Sequence, residues 1–181
     1  GMYKLRADVT LPPRDTDVAC GAGAPPPGAF TAPRHAGLGW RAYDGRAGAD
    51  GPSDALRIAH LVPESGIELV LNDSYPLEMN FEALNGVDFR KGCYVGQEVT
   101  ARMKHKTELK KGLTRVAVTG AVDVGTEIKT DAGKPAGTVY TQAEGEALAY
   151  LRFDRATGPM EADHASVIWN PPEPLKHLKK G

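Results

Sequence analysis

Leu113-Thr114-Arg115-Val116-Ala117-Val118-Thr119 alternates along a run rich in β-branched residues, the pattern of a half-buried strand. Outward from it, toward the C-terminus, the same texture recurs. Residues 127–130 and 137–141 read as two strands joined by Asp131-Ala132-Gly133-Lys134-Pro135, a turn-rich hairpin connection. Residues 147–153 and 165–169 read as further strands. Short strands at this spacing predict a small antiparallel β-barrel or sandwich. The barrel is assigned to residues 108–175, and residues 176–181 form a basic tail.

Upstream of a boundary near residue 107 the chain changes character. Residues 3–11 read as a strand. Pro12-Pro13 and the Gly/Pro-rich stretch from Gly21 to Gly28 read as surface loop, with Cys20 at its edge. A short strand is expected around residues 38–43. Ser53-Asp54 offers an N-cap to a helix over residues 55–61, which Pro63 ends. A second helix is expected over residues 76–84, with Pro76 in its first turn and Asn85-Gly86 as its stop. A third begins near Gly96 and runs through Met103. The fold class is therefore α+β.

Composition excludes several classes of function. The chain has 181 residues, 41% hydrophobic and 25% charged, with a net charge of −1. No global field draws it to nucleic acid or membrane, and no apolar run approaches the ~20 residues that a spanning helix needs. The start lacks a secretory pattern, and Gly1 before Met2 has the look of a tag remnant. Cys20 and Cys93 stand in unrelated contexts and form no metal pair, which suits a reducing, cytoplasmic compartment. The five histidines show no ligand spacing, and no metal site is expected.

Cys93 is the residue whose surroundings carry chemistry. Arg90 and Lys91 precede it, and a helix is expected to begin a few residues later. Nearby cations and a helix N-terminus both stabilise a thiolate. Gly92 and Gly96 bracket the thiol and permit close approach of another molecule. Gln97 and Glu98 add an amide and a carboxylate. The competing reading is that Cys93, beside Tyr94 and Val95, is an ordinary buried cysteine.

Lys91-Gly92-Cys93-Tyr94-Val95-Gly96-Gln97-Glu98 resembles the signature of the YgfZ family of folate-linked iron–sulfur proteins. The likeness extends through residues 80–89 and 99–105. The Leu61-Val62-Pro63-Glu64 element resembles the branch that includes the mitochondrial iron–sulfur maturation factor. The resemblance implies an aminomethyltransferase-like body, similar to the T-protein of glycine cleavage, followed by a C-terminal β-barrel. Residues 1–107 would be the C-terminal portion of that body. It implies tetrahydrofolate as ligand, with Cys93 as the functional residue and iron–sulfur assembly proteins or client apoproteins as partners. A bacterial, cytoplasmic protein is the expectation. Two departures stand out. Family members carry a segment before the equivalent of Met2 that is absent here. Where the T-protein and some relatives place a folate-contacting glutamate in an R-[L/I]-E-x-G stretch, Arg57-Ile58-Ala59-His60-Leu61 has Ala59.

The expected function is a folate-linked accessory role in iron–sulfur cluster assembly or repair. One alternative is a tetrahydrofolate-dependent aminomethyl or one-carbon transferase, against which Ala59 speaks. Another is an accessory role in tRNA modification, motivated by the basic run Arg102, Lys104, His105, Lys106, Lys110 and Lys111. That run lacks interleaved aromatics, so nucleic acid is the weaker partner. Arg102, Lys104, His105 and Lys106 are the candidate contacts for a ligand or partner.

Overall fold

In β4 (Lys111–Thr119) the two-residue period sorts the side chains. Thr114, Val116 and Val118 are buried on one face, while Arg115, Ala117 and Thr119 are exposed on the other. The computed structural model describes residues 15–48, 51, 53–92, 95–106 and 108–171. The strand expected over residues 3–11 and the basic tail at 176–181 lie outside the described residues.

β4 is one stave of a closed six-stranded barrel in the order β4-β7-β6-β5-β8-β9, with β9 returning to β4. The other staves are β5 (Glu127–Thr130), β6 (Pro135–Ala143), β7 (Glu146–Arg152), β8 (Met160–Ala162) and β9 (Ala165–Ile168). All neighbours pair antiparallel. Register shifts in the β5–β6 and β6–β7 pairs bend the sheet and help it close. The interior holds Val116, Val139, Leu151, Met160, Val167 and Trp169. Trp169 stacks on Phe153 with centroids 5.1 Å apart, and its Nε1–H donates to Thr114 Oγ1 at 3.0 Å. That bond satisfies both polar groups inside the barrel.

Part of the outer barrel wall is also buried. Leu113 of β4 and Leu148 of β7 meet Ile58 and Met79 in a second apolar cluster. Ile58 comes from α1 (Asp54–Ala59), whose N-cap Ser53 accepts a hydrogen bond from Leu56 N–H at 3.3 Å. The Arg57 Nη1–Glu68 Oε2 ion pair, 3.1 Å long, lies in the same interface with both side chains almost fully buried. Thr141 of β6 donates to Glu68 at 2.5 Å and accepts from Arg57 at 2.8 Å. A buried charge is tolerable only when paired and hydrogen-bonded, and Arg57, Glu68 and Thr141 come from three different segments. Tyr150 donates to the buried Glu78, and Lys111 approaches Glu78 at 3.7 Å. Burial first, and the Glu78 bond second, push the Tyr150 phenol well above its ordinary value.

A small sheet, β1 (Ala19–Gly21), β3 (Trp40–Ala42) and β2 (Phe30–Thr31), precedes α1. Cys20 lies in β1, opposite Arg41, and not in a loop as its Gly/Pro surroundings suggested. Residues 76–84 do not form the expected helix. They form successive turns because Asn80 adopts a left-handed φ of 61°. The turns are pinned to the barrel: Leu113 N–H donates to Glu78 O at 2.7 Å, and Asn80 Nδ2 donates to Leu113 O at 3.4 Å. α2 (Glu98–Lys106) then leads to the barrel. The closed barrel matches the expected C-terminal architecture. The described residues before it do not show an aminomethyltransferase-like body.

Candidate functional site

The signature loop emerges from a turn closed by Asp88, whose Oδ1 accepts from Arg90 N–H at 2.8 Å. That bond, and the Arg90 side chain, hold the Asp88 carboxyl below its usual range. Gly92 and Gly96 both have φ of 93°, a conformation that side-chain-bearing residues rarely adopt. Open space surrounds both glycines, so the backbone conformation requires them and packing does not. Val95 between them is 89% exposed. Cys93 and Tyr94 lie outside the described residues. Glu98 opens α2, where its carboxylate faces the positive end of the helix dipole.

Of the basic run, Lys104 is engaged: its Nζ lies 2.7 Å from Glu82 Oε2 and 5.3 Å from the Phe89 ring centroid. It fastens α2 to the turn segment. Arg102 and His105 are exposed on α2. Lys106 ends the helix, and its side chain lies outside the described residues. Lys111 is drawn to Glu78 and the face of Tyr150. The run is thus not a continuous basic surface. Among the described residues, no group of three or more His, Cys, Asp or Glu side chains is placed to hold a metal ion. None of their helices is long and apolar enough to cross a membrane.

Sequence reasoning missed a cleft of about 630 Å³ beside α1. Arg34, Arg57, Glu64, Leu69, Phe81 and Leu84 are among its lining residues. Glu64 Oε2 forms an ion pair with Arg57 Nε at 3.3 Å. Arg57 and Glu64 sit seven residues apart and Arg34 far upstream, so no local spacing marks them as one site. Ala59 is exposed on α1.

Residues 110–176 match the family model described as CAF17, C-terminal beta-barrel domain. That match spans all six strands of the barrel. The chain is 30% identical to the human iron-sulfur cluster assembly factor IBA57, mitochondrial, over 88% of this chain and 53% of the human protein. It is 32% identical to the mouse protein of that name over 71% of this chain and 40% of the mouse protein. A Neurospora crassa homolog is 50% identical over 28% of this chain and 11% of its own length. The chain thus spans about half the length of the human relative. These names overturn one expectation. The three relatives are mitochondrial proteins by name, which points away from the bacterial cytoplasm. The absence of a secretory pattern and of paired cysteines fits any reducing compartment, and so could not separate the two locations.

Proposed function

We propose that this chain is a YgfZ-type accessory factor for iron–sulfur cluster assembly, acting through the Lys91–Glu98 loop with Cys93 as its functional residue. The similarity to the human assembly factor over 88% of the chain carries the proposal. The loop's geometry supports it. Gly92 and Gly96 are both left-handed, and Val95 is exposed just ahead of α2. Arg102 and His105, exposed on that helix, are the contacts we assign to an assembly protein or client apoprotein. The segment before the barrel we read as the C-terminal portion of an aminomethyltransferase-like body. Tetrahydrofolate is the ligand we infer. Ala59 supplies no acid to hold a pterin, so the fit at α1 is incomplete and no chemical step is routed through folate.

The test is genetic and biochemical. Disrupting the gene for this chain should lower the activities of iron–sulfur enzymes relative to enzymes without clusters. Wild-type protein should restore them, and Cys93→Ser should not. Cluster enzymes of undiminished activity in the disrupted strain would refute the proposal. Full restoration by Cys93→Ser would refute the role of the loop thiol.

A further inference from the structure

α2 fully buries none of its described side chains. A nine-residue helix is marginal in water by itself, so the few contacts it makes set its place. Met103 is half-buried and lines a hollow shared with Glu78 and Leu109. Among the described side chains of α2, Lys104 alone forms an ion pair. Its Nζ lies 2.8 Å from Oε1 and 2.7 Å from Oε2 of Glu82, and 5.3 Å from the centroid of the Phe89 ring. Glu82 belongs to the turns that Asn80 pins to β4. Phe89 and Arg90 lead into the Lys91–Glu98 loop, and α2 leads out of it. One ammonium therefore joins the segment entering the loop to the helix leaving it.

We propose that Lys104 is a positioning residue: by clasping Glu82 and Phe89 it holds the two stems of the signature loop together and keeps the start of α2 beside the loop that carries Cys93. The proposal rests on the reading of that loop as the working part of the protein. An ammonium suits the place, being a compact charge that reaches both carboxylate oxygens while lying over an aromatic face. Both partners of the pair are nearly half exposed, so the clasp adds little to overall stability. Its effect is local, on a helix with few other contacts.

Two measurements on the whole chain test it. Hydrogen exchange of the α2 amides should speed up roughly two- to fivefold in Glu82→Gln and further in Lys104→Met, with barrel amides unchanged. Alkylation of Cys93 by iodoacetamide, read on its own peptide by mass spectrometry, should slow in Glu82→Gln, with the pH profile displaced upward. Removal of a negative charge would by itself favour the thiolate, so slowing marks a displaced helix and not the lost charge. The swapped pair Glu82→Lys with Lys104→Glu should label faster than either single reversal. Unchanged exchange in both variants would overturn the proposal. Faster exchange with unaltered alkylation would reduce the clasp to a structural contact and overturn the positioning role. Both measurements are made on the isolated protein, so they hold or fail independently of the iron–sulfur role, which the gene-disruption test decides.

Discussion

His60 ends α1 with its ring stacked on His35, centroids 4.0 Å apart. His35 Nδ1 accepts from Gly37 N–H at 3.1 Å, which caps the 3-10 turn and requires that nitrogen to be unprotonated. A Cβ at Gly37 would lie 2.2 Å from His60 Nε2, so only glycine lets the turn approach the ring. Burial first, and the charge of His35 second, hold the His60 pKa below its ordinary 6.5. A depressed folded pKa means that the unfolded chain binds the proton more readily. Its stabilising contribution is then full above 6.5 and is lost as pH falls through the lower folded value. Thermal stability measured from roughly pH 8 to pH 5 should decline below about 6.5, and His60→Asn should flatten the decline. An unchanged slope would place the acid sensitivity elsewhere. Neither this stack nor the cleft beside α1 was legible in the sequence. Both arise where separate segments meet, and metal-ligand spacing among the histidines does not reveal a ring stack.

At the scale of elements, strands β4, β5, β6, β7 and β9 were legible because alternation survives wherever one face is buried and the other wet. β8 was not, since Met160–Ala162 is too short to show a period. Residues 76–84 misled because their composition suits a helix. The left-handed Asn80 and the bonds to β4 are tertiary facts that propensity does not contain. β6 and β7 approach closely at Gly137, where a Cβ would lie 2.2 Å from Tyr150 O and 2.8 Å from Leu151 Cδ2. The nearest of these atoms is backbone, so relief requires moving a strand. Gly137→Ala should therefore destabilise the protein by about 1–3 kcal/mol or more in urea unfolding. Gly158→Ala, with nothing within 4 Å and no positive φ, should stay within about 0.5 kcal/mol of wild type. If Gly137→Ala is as neutral as that control, the β6–β7 pair is looser than described.

The whole molecule joins a large core to a small one. The barrel interior is continuous, whereas the cluster beneath the N-terminal sheet consists of Ala32, Leu38, Val62 and Leu84 with Leu56 against it. A three-stranded sheet of two- and three-residue strands over so few apolar side chains cannot hold itself folded in water. It must draw its stability from α1, and α1 from the barrel. The tie is the Ile58–Leu148 cluster and the buried Arg57–Glu68–Thr141 network. Two tryptophans report the two ends separately: Trp40 in β3 and Trp169 in the barrel. Unfolding followed in Trp40→Phe and Trp169→Phe variants should give coincident transitions, the mark of one cooperative unit. Arg57→Met should break that unity. It leaves the fully buried Glu68 without its cation, at a cost of about 3–5 kcal/mol. For a chain of this size that lowers the midpoint on the order of 10 °C. The loss falls on the joint, so the Trp40 signal should melt ahead of the Trp169 signal in the variant. Separate transitions with Arg57 in place would show that the two parts fold independently and that the buried network is not what couples them.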